Sequence, residues 1–376
     1  MRMPDIPQEY RWRLDRARAE MDRAGCDLLI LDSGEIMAWL SGFTVSETMY
    51  RAIFLPREGD PWFVLRELDM APCREGGWIS DIIGYADDAC PVTEMIAQIR
   101  DRGLGNVRIG IDFNSISWNP ARMEAFSAGL PGAAFIDLRS LSESLRWIKS
   151  AHEIDLLTRA SIIADKAMAE IVAAAQPGLT TRDAAAIAAS CFLRSGADIG
   201  ETGPIVLGKG SHEFLHGLFQ TNSLTAGDVL HVELTPYVSR YGARLMRPVV
   251  IGEPSVGQYE AAQTLVALQD EQIAAMKPGA VVADVDCIMR QGALQAGLRD
   301  EYKNVTAYTL GLYIRTPRSS DFSRVFLPGQ TWMLEENMVF HVYTTARGLG
   351  FSETVVVTPE GGQRLTRSAR KILGKS

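Results

Sequence analysis

At 376 residues, 47% of them apolar and 22% charged, with 33 Gly and 17 Pro, the chain has the make-up of one large or two smaller globular domains, not of a fibrous or disordered protein. A formal charge of -8 with no basic block argues against nucleic-acid binding, which needs clustered Lys and Arg, and leaves small-molecule or protein partners. No run approaches the roughly 18 apolar residues of a membrane span, the charged N-terminus has no secretory apolar core, and the five scattered cysteines, without CxxC pairing, suit free thiols in a reducing compartment, so the expected location is the cytoplasm.

In chain order, helical spacing over Gln8–Ala24 ends at Gly25, and CDLLILD follows as a buried strand. RAIFLP (51–56) and PWFVLR (61–66), separated by EGD, form a hairpin pattern. A helix through about Glu94–Asp101, the strand RIGID (108–112), a helix over Pro120–Ala128 and the strand AAFIDL (133–138) complete a mixed α/β domain spanning 1–145. A serine-rich turn near 139–144 marks the joint to a second domain, 146–376. That domain opens on a long amphipathic helix ending before Pro177 and Gly178, then a helix from about Thr181 to Arg194 capped by Thr180 or Thr181. Strand-like segments follow at IVLG, at 228–238 and at 244–252, then helices over about Gln258–Met276 and Asp284–Ala296, and finally TWMLEENMVFHVY and FSETVVVT.

Five histidines can each be weighed. His152 lies in a charged helix start and reads as exposed, and His212 and His216 lie in SHEFLHG, a loop of the kind that displays catalytic side chains. His231, in VLHVEL, is a core histidine on the simplest reading, and His341, in MVFHVY, is open between core and substrate wall. Glu233 interrupts an apolar strand on the same face as His231, where a buried carboxylate needs a cation or hydrogen-bond donors. Arg240, Arg244 and Arg247 lie just downstream, so Glu233 is either half of a structural ion pair or a substrate or metal carboxylate. Glu335 and Glu353 raise the same question, and the three acids together suggest one pocket.

These landmarks together resemble the pita-bread superfamily, in the branch holding creatinase, aminopeptidase P, prolidase and ectoine hydrolase. The segments that carry the likeness are LRWIKSAHEID, SHEFLHG, AGDVLHVELTPYVSRYGARLMRPVVIG, AYTLGLYIRTP, LPGQTWMLEENMVFHVY and FSETVVVTPEGGQRLT. The resemblance implies a small creatinase/prolidase-like N-terminal α/β domain ahead of a catalytic pita-bread α+β domain, and a homodimer. Metallopeptidases of the superfamily hold two ions with two Asp, one His and two Glu. The matching positions here read as Glu233, Arg244, Tyr308, Glu335 and Glu353, so a guanidinium and a phenol replace two ligands, and neither a catalytic metal nor another cofactor is expected.

The resemblance to ectoine hydrolase and creatinase further implies hydrolysis of a C–N bond in a small zwitterionic cyclic amidine. It assigns catalysis to His216 as proton shuttle with Glu233, Glu353 and Asp69, and substrate binding to Arg66, Arg244, Tyr308 and Glu335, with Arg315 and His341 as further contacts. Bland alternatives stand beside these roles: Tyr308 packing a turn, and Arg66 with Asp69 forming a surface pair. Two other functions stay open, an Xaa-Pro peptidase-like metallohydrolase with an altered site and a catalytically silent binding protein.

Overall fold

The computed structural model describes residues 7–43, 49–208, 215–313 and 323–374. The chain divides into two compact units, the first running through Arg146 and the second beginning at Trp147.

In the first unit, helix α1 (Gln8–Ala24) stops at Gly25, whose left-handed backbone (φ 65°) lets its N–H bond back to the last turn. Strand β1 (Leu28–Leu31) and helix α2 (Gly34–Ser41) precede the hairpin of β2 (Ala52–Pro56) and β3 (Trp62–Arg66). A short 3-10 turn over Glu67–Asp69, helix α3 (Met70–Gly76), strand β4 (Asp81–Tyr85), helix α4 (Pro91–Asp101), strand β5 (Arg108–Ile111), helix α5 (Pro120–Gly129), strand β6 (Ala134–Asp137) and helix α6 (Leu141–Ser144) follow. The six strands order as β4-β3-β2-β1-β5-β6, with β1, β5 and β6 mutually parallel. The sequence LLIL of β1 has no polar alternation because both its faces are covered: Leu29 and Leu31 join the cluster of Leu14, Ala17 and Met21 from α1, whereas Leu28 and Ile30 join that of Met95, Ile99 and Phe126 from α4 and α5.

The second unit opens with α7 (Ala151–Ala174) and α8 (Thr181–Arg194), each started by a reciprocal cap, Ser150 with Glu153 and Thr180 with Asp183. Strands β7 (Ile205–Leu207), β8 (Val229–Leu234), β9 (Tyr237–Val238), β10 (Tyr241–Gly242) and β11 (Leu245–Val250) follow. Helices α9 (Val256–Ala275) and α10 (Val282–Gln295) come next, then β12 (Ala307–Thr309), β13 (Val339–Ala346), β14 (Leu349–Thr358) and β15 (Gly361–Arg364). The run expected as one strand over 228–238 breaks after Leu234 at Thr235 and Pro236, since proline cannot donate to a ladder. The main sheet orders as β12-β13-β14-β11-β8-β7, with β15 added to β14.

The two faces of this sheet differ in chemistry. Phe340, Val342, Val355 and Val357 cluster with Ile273 of α9 and with Val282 and Val285 of α10, so one face is helix-covered and apolar. The other carries His341 and Tyr343 of β13 and Ser352 and Thr354 of β14, at alternate positions. Strands β13 and β14 are joined by a two-residue turn, Arg347 and Gly348, both at positive φ (50° and 79°), which pairs Ala346 with Leu349 and fixes the register. Among the described residues no helix is long and apolar enough to cross a membrane.

Candidate active site

The register of five strands assembles the site. On β8, Glu233 lies opposite Met246 of β11, and Met246 lies opposite Ser352 of β14. Ser352 in turn lies opposite Tyr343 of β13, and two residues back His341 lies between Thr354 of β14 and Tyr308 of β12. Period-2 alternation therefore puts Glu233, Ser352, Tyr343, His341 and Tyr308 on the polar face, away from the helix-side core.

Arg244, the residue before β11, donates from Nη1 to Glu233 Oε1 at 2.9 Å, with the carboxylate side chain 3% exposed and the guanidinium 12%. A carboxylate buried to that degree is tolerable because the cation is in contact, and removing either partner leaves an uncompensated charge. The guanidinium also lies over the Tyr308 ring, 5.5 Å from its centroid. Beyond it, Tyr308 meets His341 edge-on at 4.9 Å, and His341 stacks on Tyr343 at 5.2 Å. Gly203 presses against Glu233 from the other side: a Cβ there would fall 2.8 Å from the Glu233 carbonyl oxygen, so only glycine allows this approach.

Two buried imidazoles share the face. Burial pushes His231 down to about 3, with the charge of His216 adding to the effect, and burial pushes His341 well below its usual range, reinforced by Arg244 and His231. Both are neutral at physiological pH. His231 lies against bare backbone, because a Cβ on Gly350 would come within 2.9 Å of its ring. Tyr343 is raised to about 12, first by burial and in part by the charges of Tyr302 and Glu233, so its phenol stays protonated.

The three acids expected in one pocket are not together. Glu353 is fully buried on the helix-covered face, because its neighbour Ser352 takes the polar-face position. There it accepts from Arg247 Nη2 at 2.6 Å and from the Thr366 hydroxyl, with Arg370 Nε at 3.3 Å and Arg364 Nη1 at 3.7 Å. All five N–H groups of Arg247 are occupied, by Glu353 and by the carbonyls of Met246, Ser352, Ser368 and Ala369. Glu353 is thus the centre of a structural network that ties the C-terminal segment to the sheet. Glu335 lies not on a strand but in the connection before β13, exposed, where its charge acts on Arg324.

The other expected residues sit as follows. His216 is exposed in the segment following residue 214, and its charge is felt at His231. His152 is exposed. Arg66 and Asp69 belong to the first unit, where Arg66 makes a two-pronged pair with Asp87 at 2.5 Å and Asp69 closes the 3-10 turn half-buried. Of the three arginines after Glu233, only Arg244 reaches it: Arg247 turns to the opposite face, and Arg240 sits in the β9–β10 turn with its backbone N–H on Asp198. Arg315 and His212 lie outside the described residues. Sequence reasoning passed over Tyr343 and Ser352, although Tyr343 stands two residues after His341, the spacing that marks a shared strand face.

The donor set does not suit a pair of divalent ions. Among the described residues the Glu233 carboxylate already accepts from a permanent cation, and no group of three or more His, Cys, Asp or Glu could hold a metal.

Comparison with known proteins places this architecture. The sequence profile of the creatinase/prolidase N-terminal domain matches residues 13–148, and that of metallopeptidase family M24 matches residues 155–359. The ectoine hydrolase of Halomonas elongata is 23% identical over 396 residues, covering 99% of each chain. An Xaa-Pro dipeptidase of Pyrococcus furiosus is 25% identical over 245 residues, 64% of this chain and 68% of that one. Among solved structures, the prolidase from Pyrococcus horikoshii superimposes with a TM-score of 0.79 at 20% identity, covering 96% of this chain and 99% of the other. The Xaa-Pro dipeptidase from Bacillus anthracis gives 0.81 at 20% identity, covering 97% and 99%. With a creatinase/prolidase N-terminal domain ahead of a pita-bread domain, the chain belongs to metallopeptidase family M24, a family of hydrolases.

Proposed function

We propose that this protein hydrolyses a C–N bond of a small zwitterionic cyclic amidine of the ectoine type, with protein groups in place of divalent ions and no other cofactor. The observation that carries this reading is the Glu233–Arg244 contact of 2.9 Å, which commits the Glu233 carboxylate to a fixed guanidinium. The Glu233–Arg244 pair, set against an aromatic wall formed by Tyr308 and His341, offers both signs of charge to a ligand that is itself zwitterionic. The similarity to ectoine hydrolase supports the same substrate class.

In this reading the reaction adds an oxygen to the amidine carbon and breaks its bond to one ring nitrogen, which leaves carrying a proton. Glu233, paired with Arg244, either attacks the carbon itself, with water then hydrolysing the acyl intermediate, or orients the attacking water, and His216 moves the proton to the departing nitrogen. The superfamily resemblance carries Arg66 and Asp69 into this reading as a binding and a catalytic residue of the homodimer it implies. Glu335 and Glu353 have no part in it.

The test is ectoine turnover by protein stripped of metal with a chelator, followed by chromatography of the ring-opened product. Undiminished turnover is expected. Turnover abolished by chelation and restored by manganese or cobalt would defeat the reading in favour of a metallohydrolase.

A further inference from the structure

The polar face holds more hydrogen-bonding capacity than the protein uses. Ser352 Oγ and both ring nitrogens of His341 are buried and have no hydrogen-bond partner among the described residues. Buried polar groups without partners are rare in native proteins and commonly mark where something else binds. Tyr343 lies directly opposite Ser352, and the orientation of its hydroxyl is determined by a chain of contacts.

That chain begins at Arg299, whose guanidinium stacks over Tyr302 at 3.8 Å and donates from Nη2 to Asn304 Oδ1 at 2.9 Å. Because Oδ1 receives the arginine, the Asn304 amide has only one sensible orientation, and its Nδ2 faces the Tyr343 oxygen at 3.1 Å. The phenol oxygen therefore accepts from Asn304, and its own proton, which has no acceptor among the described residues, is left to donate elsewhere. Burial keeps that proton in place. Around it the charges of Glu233 and Arg244 offset each other and both imidazoles are neutral, while the Arg299 guanidinium behind Asn304 adds a positive charge that favours an anion at the phenol.

We infer that Tyr343 and Ser352 form the subsite that grips the carboxylate of the substrate, and that Asn304 and Arg299 are positioning residues that aim the Tyr343 hydroxyl at it. This rests on the amidine-hydrolase reading and adds to it the group by which the zwitterion's anionic end is recognised. Aligned neutral donors suit a carboxylate whose charge is offset by its own amidinium, and they leave Arg244 to Glu233.

The experiment measures binding of two probes to the full-length, metal-stripped protein by calorimetry: ectoine, and 2-methyl-1,4,5,6-tetrahydropyrimidine, the same ring without the carboxylate. Wild type should prefer ectoine. Tyr343→Phe should weaken ectoine by about 10- to 100-fold, the loss expected for a hydrogen bond to a charged group, and leave the carboxylate-free ring unchanged. Ser352→Ala should act in the same direction. Asn304→Asp keeps the side-chain size and gives Arg299 a better partner, yet it offers the phenol an acceptor and turns its proton away from the site. It should therefore match Tyr343→Phe in lost ectoine affinity while its urea midpoint stays at or above that of wild type. Equal weakening of both probes by Tyr343→Phe, or of neither, overturns the subsite. An Asn304→Asp protein that binds ectoine like wild type overturns the positioning role. A wild type that binds ectoine only with manganese added defeats the metal-free reading, and the subsite then stands or falls by the Tyr343→Phe result with manganese present. A wild type that binds neither probe, with or without metal, overturns both.

Discussion

The neutral imidazole of His231 has a measurable effect on stability. Its native value of about 3 lies far below the usual 6.5, so below 6.5 the unfolded chain takes up a proton that the native strand refuses. The unfolded state then binds more protons, and the contribution of His231 to stability, complete above 6.5, is lost as the pH falls from 6.5 towards 3. At about pH 5 the unfolded imidazole is protonated and the native one is not, so the loss relative to about pH 8 is roughly 2 kcal/mol. Asp32, buried at the end of β1 and raised to about 6, acts in the opposite sense: its native carboxyl holds a proton the unfolded chain releases, so its penalty is relieved as the pH falls from 6 towards 3.8. His231→Phe keeps a flat ring against Gly350 and removes only the first effect. Urea unfolding of wild type and variant at about pH 8 and about pH 5, followed by far-ultraviolet circular dichroism, isolates it, since Asp32 is common to both. Wild type should lose roughly 2 kcal/mol more than the variant between these conditions. Equal losses would mean that the native imidazole takes up the proton, and the argument from burial would fail.

Glu353→Gln should destabilise by about 3–5 kcal/mol in urea unfolding, because it strands the buried Arg247 guanidinium, while substrate affinity of the remaining folded protein stays unchanged. Gly350→Ala should cost about 1–3 kcal/mol by the same measurement, since its methyl would collide with the His231 ring at 2.9 Å. His216→Ala should abolish ectoine turnover with an unaltered melting temperature, because the side chain is exposed; full turnover would remove His216 from the mechanism.

The elements that composition and periodicity reveal most clearly are those with one buried face or an explicit cap. Helix α8 begins at Thr181 because Thr180 caps it, and the β2–β3 hairpin falls where apolar runs flank EGD. Helix α2 was missed since nearly all its residues, from Glu35 through Ser41, are buried, which erases the amphipathic period. At the site, Glu233 was legible as an acid in an apolar strand, and Arg244 as the cation within reach of it. What the sequence could not give was which side of the sheet each acid would face. Glu353 and Ser352 are adjacent letters, yet one is tied to Arg247 under the helices and the other lies opposite Tyr343. Pairing register across five strands decides that, and register is a tertiary property.

The tight turn at Arg347 and Gly348 therefore acts as a selector. Insertion or deletion of one residue there would slide β14 by one step against β13, rotating the Glu353 carboxylate towards Tyr343 and driving Ser352 among the helices. Within this fold, point substitutions can retune the site gradually, whereas a change of loop length would exchange a neutral, hydroxyl-lined wall for an acidic one in a single event and unfasten the chain's C-terminal segment at the same time.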